Sequence, residues 1–326
     1  MRTLVATATE TAPVDESEIV AVLGDAGHLD VVPWTDWEHA TDELLERMCR
    51  ADALLVRTGT IDEKLIGLCS NLKIITLHGA GVDQVDVAAA VDNGIWVTNV
   101  PGANARAVAE MTLGLALAMI RGIVSAHIAL SGDDWHGGRF LGRQITSLRW
   151  GILGMGHIGR IVGHMASAIG AEIAYFDPYL PPSLKDTLPE EMVELDSKES
   201  LLRTSDIISV HVPLSDATFH LVDAESVELM KPEACLINVS RGGVVDGRAL
   251  AQAAHAGRLG GVALDVFDTE PVVEEELKQL VGPRVIVTPH LAGSTEECLR
   301  EIARRGTSDI LRVWRGETPE YLVAGP

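Results

Sequence analysis

Three stretches of the 326-residue sequence end an apolar run in a side chain that could do chemistry. "CLINVSRGGVVD" places Arg241 immediately after a predicted buried strand and before two glycines. "VALDVFDTEP" finishes in Asp265, Asp268 and Glu270 with Pro271 behind them, and "VIVTPHLAGST" sets His290 between Pro289 and a loop of small residues. An imidazole can take and return a proton near neutral pH, and a neighbouring carboxylate can orient it and favour its charged form. A guanidinium can grip a carboxylate through forked, charge-assisted hydrogen bonds. Each residue also has an ordinary reading: the arginine as a cap, the glutamate as a solvated turn residue, the histidine as a hydrogen-bonded core side chain. Their shared position argues against coincidence, because open α/β sheets bind ligands outside the carboxyl ends of their strands.

A fourth stretch, "WGILGMGHIGRIVGHMASAIGAEIAYFDP", carries Gly154, Gly156 and Gly159 in the pattern G-x-G-x-x-G between an apolar run and a helical one. Gly154 permits a tight turn, Gly156 lets a pyrophosphate approach the backbone, and Gly159 allows a helix to pack closely on its strand. The helix N-terminus beyond them offers unpaired N–H groups and partial positive charge. A second apolar run then ends in Asp177, 18 residues after Gly159, placed to accept hydrogen bonds from ribose hydroxyls. Pro178 and Tyr179 follow it, with no arginine to neutralise a 2′-phosphate, so NAD is favoured over NADP.

The elements that must hold these residues read as an alternating series. "TLVAT" (3–7), "LDVVPW" (29–34), "ADALLVR" (51–57), "LKIITLH" (72–78) and "IWVTNV" (95–100) are predicted strands separated by helix-length connections. A second series is predicted near 148–153, 172–176, 206–211, 235–239, 261–266 and 285–288. Both imply parallel sheets with helices on each face. Between them, "ARAVAEMTLGLALAMI" (105–120) is a helix apolar almost all round. From Ser294 to Trp314 the chain is amphipathic, with Ser294 and Glu297 spaced as a capping box, and this last helix could return to the first domain.

Composition excludes several classes. The formal charge of −21, from 26 Lys and Arg against 47 acids, is unsuited to nucleic acid or anionic membranes and compatible with a salty cytoplasm. No apolar run is long enough to span a bilayer and the N-terminus lacks the pattern of a signal peptide, so a cytoplasmic location is expected. Cys49, Cys69, Cys235 and Cys298 lack metal-ligand spacing and read as reduced thiols, and no metal is expected.

Taken with "HGAGVDQVDVAAA" (78–90), "NVPGANARAVAE" (99–110) and "VHVPLSDATFHLV" (210–222), these stretches resemble the D-isomer-specific 2-hydroxyacid dehydrogenase family, nearer its phosphoglycerate dehydrogenase branch than its formate dehydrogenase branch. The resemblance covers nearly the whole chain. It implies an α/β fold of two doubly wound parallel-sheet domains, with a Rossmann NAD-binding domain (105–293) inserted into a flavodoxin-like substrate domain (1–104 and 294–326) and an active site in the cleft. By resemblance the catalytic set is Arg241, Glu270 and His290, holding the substrate, orienting the imidazole and moving the proton. NAD contacts fall on Gly154, Gly156, His157, Ile158 and Gly159, on Asp177, on His211, Pro213 and Thr218, on Val239, Ser240 and Arg241, on Asp265 beside the nicotinamide amide, and on His290, Ala292 and Gly293. Substrate contacts fall on Arg241, on the backbone of Ala80, Gly81 and Val82, and on Arg57 near the substrate's far end. A homodimer is implied too, with helix 105–120 on the dimer side.

Departures from the branch narrow the expectation. The chain stops at Pro326, so the C-terminal regulatory domain of many phosphoglycerate dehydrogenases is not expected, and "DDWHGGRF" (133–140) retains only Arg139 as a base. The substrate stays open among 3-phosphoglycerate, sulfolactate and other C3-substituted lactates, hydroxypyruvate and branched 2-hydroxy acids. Formate dehydrogenases resemble the scaffold but carry glutamine at the position of Glu270. A NAD(H)-sensing binding protein like the family's transcriptional corepressors is the alternative from another class, and turnover of 2-keto acids separates the two.

Overall fold

The computed structural model describes residues 2–135, 141–270 and 275–326. Arg139 and Pro271 lie outside them. The chain divides into two compact units, Met1–Asn104 with Ser294–Pro326, and Ala105–Gly293.

The first unit runs β1 (Arg2–Thr7), α1 (Glu16–Leu23), β2 (Gly27–Val32), α2 (Asp42–Cys49), β3 (Ala53–Val56), α3 (Glu63–Leu68), β4 (Ile74–Leu77), α4 (Val87–Asp92) and β5 (Trp96–Thr98). Every residue of β3 and β4 is buried, as a parallel strand covered on both faces requires. Part of the chain's acidity closes helix ends: Asp15, Asp62 and Asp86 each accept a first-turn N–H at the start of α1, α3 and α4, which satisfies orphan donors and suits the helix dipole.

The second unit runs α5 (Ala105–Ile120), α6 (Ile123–Ser131), β6 (Arg149–Leu153), α7 (His157–Ala168), β7 (Glu172–Phe176), α8 (Pro182–Lys185), β8 (Val193–Glu194), α9 (Lys198–Thr204), β9 (Ile207–Val210), α10 (Ala224–Leu229), β10 (Cys235–Asn238), α11 (Gly247–His255), β11 (Gly261–Leu264), α12 (Glu275–Leu280) and β12 (Val285–Val287). Its seven-stranded sheet has the order β12-β11-β10-β9-β6-β7-β8 and is parallel throughout. Counted from its own first strand, the order begins 3-2-1-4-5-6, the doubly wound Rossmann arrangement. The switch point falls between β6 and β9.

The chain then returns to the first unit with α13 (Glu296–Trp314) and β13 (Leu322–Ala324). The first sheet is thereby six-stranded, β13-β5-β4-β3-β1-β2, a flavodoxin-like 2-1-3-4-5 order with an antiparallel edge strand added. The face of α13 turned to the sheet packs Ala303, Ile310, Leu311 and Trp314 against Leu4, Ala6, Leu55 and Ile74. Close approach needs Gly306, where a Cβ would stand 3.0 Å from the Thr76 methyl. The capping box expected from Ser294 and Glu297 is not formed: Thr295 is the N-cap, its hydroxyl accepting from Cys298 N, so the helix starts one residue later. Ser294 is released for another partner.

Candidate active site

In the second unit, turns at the carboxyl ends of β6, β7, β9, β10, β11 and β12 carry the candidate residues. After β6, Gly154 takes φ +94°, a left-handed turn costly for any side chain. A Cβ on Gly159 would fall 2.0 Å from the Gly154 carbonyl oxygen, so only glycine lets α7 start so close to β6. A Cβ on Gly156, by contrast, would meet nothing within 4 Å. Gly156 is the N-cap of the 12-residue α7, with no side chain satisfying its first N–H groups, and Gly156 and His157 are exposed while Ile158 is half-buried. This is an open, glycine-lined anion cradle, and it fits a dinucleotide pyrophosphate.

Asp177, just past β7, reaches back to the same turn: Oδ2 accepts from Met155 N at 2.8 Å and Oδ1 from Tyr179 N at 3.0 Å. That tethers the carboxylate beside the glycine loop with lone pairs remaining for ribose hydroxyls. Across the switch point, His211 follows β9. Its Nε2 meets Ser209 Oγ at 2.9 Å while Nδ1 is buried with no partner among the described residues. Burial pushes the imidazole down to about 3, so it is neutral. The Thr218 hydroxyl turns inward to the Pro213 carbonyl at 2.6 Å and closes that loop.

The proton-handling group lies farther along the same edge. His290 Nδ1 is 2.6 Å from Glu270 Oε2, and Glu270 Oε1 accepts from Phe267 N at 3.0 Å. Burial pushes the Glu270 carboxyl up, but its hydrogen bond with His290, the charges of His290 and Arg241 and the Phe267 amide outweigh this, holding it below the usual carboxylate range. His290 Nε2 is thus the nitrogen left for a substrate. The imidazole is half-exposed, its side chain 51% accessible, as a group that meets substrate must be. Arg241, at the end of β10, is set by Asn238, whose amide donates to the Arg241 carbonyl at 2.8 Å and accepts from Ser240 N at 3.0 Å. Val239 between them is buried.

Asp265, expected beside the nicotinamide amide, holds the turn that carries His290. It is fully buried, and its oxygens accept from the Thr288 hydroxyl, from Leu291 N at 3.0 Å and from Ala292 N at 2.9 Å. Its carbonyl accepts His290 N at 2.8 Å. Asp265 therefore fastens the turn from Thr288 to Ala292, in which His290 is held at φ +49°, an uncommon conformation for a residue with a side chain. Gly293 ends this turn. Sequence reasoning missed Asn238 and Thr288 as holders of the turns; each is a lone polar residue closing an apolar strand, which was the available signal.

In the first unit, Arg57 and the turn after His78 follow β3 and β4. Asn99 Nδ2 donates to the Ala80 carbonyl at 2.7 Å and fixes the turn. Among the described residues no acceptor meets the N–H of Ala80, Gly81 or Val82, which leaves successive donors for an anion. Arg57 Nη2 donates to Ser294 Oγ at 3.3 Å. All four cysteines are free thiols, and among the described residues no three His, Cys, Asp or Glu side chains gather as a metal site.

A doubly wound sheet whose switch point carries a glycine cradle and a ribose-side acid, with an imidazole–carboxylate pair on the same edge, defines a dinucleotide-binding α/β protein with a proton-transfer group. The chain belongs to the D-isomer specific 2-hydroxyacid dehydrogenase family: the model of that family's NAD binding domain matches residues 113–292. It is 37% identical over 317 residues to a D-3-phosphoglycerate dehydrogenase of Methanocaldococcus jannaschii, covering 97% of this chain and 59% of the relative. It spans little more than half the length of that relative. To a glyoxylate reductase of Thermococcus litoralis it is 36% identical over 288 residues, 86% of each chain. The solved D-lactate dehydrogenase of Aquifex aeolicus, complexed with NAD and lactic acid, superposes with a TM-score of 0.84 at 26% identity over 100% of both chains.

Proposed function

We propose that this chain is an NAD-dependent oxidoreductase that interconverts a 2-hydroxy acid of D-type configuration and its 2-keto acid. The observation that carries the reading is the 2.6 Å contact between His290 Nδ1 and Glu270 Oε2 at the strand edge that also bears the glycine cradle. Gly154 to Gly159 and Asp177 would hold the dinucleotide, which when bound accepts or returns a hydride at the substrate's C2. Arg241 would fork onto the substrate carboxylate and C2 oxygen, a geometry lysine lacks. His290 Nε2 would take the hydroxyl proton during oxidation and give it back during reduction, with Glu270 orienting the ring through Nδ1.

For the substrate we infer a C3-substituted lactate bearing an anionic group, with 3-phosphoglycerate and sulfolactate as the leading forms. The N–H groups of Ala80 to Val82, which meet no acceptor among the described residues, and Arg57, which pairs with no carboxylate among them, support this. Relatives named glyoxylate reductase and D-lactate dehydrogenase keep smaller acids within the same class. A homodimer in the cytoplasm completes the proposal: Ile123 and Leu130, two turns apart on one face of α6, are each about half exposed and offer apolar surface that a second copy would cover. The strong negative charge supports a role apart from nucleic acid and membranes. Screening 2-keto acids for NADH consumption tests the reading. Turnover of at least one acid, abolished by His290→Ala, is expected; tight NADH binding with no turnover of any acid would overturn it.

A further inference from the structure

Arg57 and His78 are neighbours in the sheet. Val56 pairs with Leu77, so the two follow at equivalent positions past the ends of β3 and β4, and His78 N donates to the Val56 carbonyl at 2.8 Å. Side chains alternate along a strand, and Thr76, two residues before His78, faces Gly306 of α13. Arg57 faces the same helix, bonding Ser294 and lying close to Cys298. The pair therefore shares one face, beneath the start of α13.

Its polar groups are conspicuously incomplete. His78 is 7% exposed, and among the described residues both of its buried ring nitrogens lack a partner, as does Arg57 Nε. Among the described residues no carboxylate pairs with Arg57, in a chain with 47 acids. Burial, then the charge of Arg57, pushes the His78 imidazole down to about 3, so it adds no positive charge and offers one N–H and one lone pair. Buried polar groups in folded proteins are almost always satisfied, and exceptions call for an account. An occupant that brings oxygen atoms and a negative charge supplies one. The turn beyond His78 borders open space: Gly79 has φ +145°, and a Cβ there would meet nothing within 4 Å.

We propose that His78 is a specificity-determining residue that acts with Arg57 to receive an oxyanion carried on the far carbon of the substrate. This rests on the dehydrogenase reading but adds a group that reading does not use. The neutral imidazole sets the hydrogen-bonding geometry while Arg57 alone supplies the charge, so the site accepts an oxyanion and gains little from an uncharged tail.

The test compares kcat/KM for keto-acid reduction in the parent, Arg57→Ala, His78→Leu and His78→Asn. The probes are pyruvate, which lacks the tail, and oxaloacetate, 3-sulfopyruvate and 3-phosphohydroxypyruvate, which carry a carboxylate, a sulfonate and a phosphate. His78→Leu should lower the ratio of tailed to tail-less kcat/KM at least tenfold for the preferred oxyanion, mainly through KM, and His78→Asn should restore part of it. The melting temperature of His78→Leu should rise, since an unpaired buried polar group is removed. That combination separates recognition from a structural role, which would lower the melting temperature and both kcat/KM values together. A ratio unchanged in His78→Leu but reduced in Arg57→Ala overturns the inference and leaves the dehydrogenase reading standing. Failure of every keto acid to turn over overturns both.

Discussion

Among the described residues, Glu270 Oε2 pairs with His290 Nδ1 and Oε1 accepts from Phe267 N. Because its carboxyl titrates below the ordinary range, Glu270 is anionic throughout neutral pH. An anion hydrogen-bonded to one nitrogen favours the protonated ring. Glu270→Gln keeps the size and a hydrogen bond but removes the charge. The alkaline limb of kcat/KM for reduction should then move to lower pH. The acidic limb for oxidation should move the same way, so reduction loses range and oxidation gains it; profiles that stay in place in both directions would show the carboxylate to be inert. Asp177 governs a second choice. Its carboxylate would repel a 2′-phosphate, so kcat/KM with NADP should fall at least tenfold below that with NAD, and Asp177→Ala should narrow the gap; equal use by the parent would remove Asp177 from cofactor selection.

Elements meet at Gly242. A Cβ there would lie 2.0 Å from the Phe267 carbonyl carbon and 2.4 Å from Asp268 N, so the backbone of the arginine turn lies directly on that of the acid turn. Gly242→Ala should displace Phe267 and Asp268, loosen the Phe267–Glu270 hydrogen bond and lower kcat more than tenfold, with cofactor affinity changed less than threefold. Loss of both together would mean general unfolding. What was legible at this scale follows from how each segment is held. The buried strands β3, β4, β9, β10 and β11 read as strands because both faces are covered and each run is apolar but for Thr76, Ser209 and Asn238. The two-residue β8 is exposed at the sheet edge and left no such run. The antiparallel β13 was also unread: Leu322 is half-exposed, and pairing with β5 is set by tertiary context. Of the site, Arg241, Glu270 and His290 were legible as polar groups closing apolar runs. The buried engagement of Asp265 was not, because it depends on backbone N–H groups 26 and 27 residues away, and no side-chain pattern records them.

At the scale of the molecule, acid response is written in the buried histidines. For His78 the folded value of about 3 lies below the ordinary imidazole value, so between roughly pH 3 and 6.5 the unfolded chain binds more protons. Stability is full above that window and is lost as pH falls through it, at up to ~1.4 kcal/mol per pH unit. Urea unfolding of the parent should weaken between pH 7 and 5 by about 1–2 kcal/mol for each of His78 and His211, and His78→Leu should remove its share of that slope; an identical slope would mean His78 is protonated in the folded state. The discontinuous first unit has a further consequence, for the order of birth on the ribosome. Residues 105–293 are contiguous, so that unit can close its sheet while synthesis continues. The strands made first cannot: Leu4, Ala6, Leu55 and Ile74 lack their cover until Ala303 to Trp314 emerge. The earliest segment of this chain therefore matures after the inserted unit, waiting as a half-covered sheet while residues 105–293 are made.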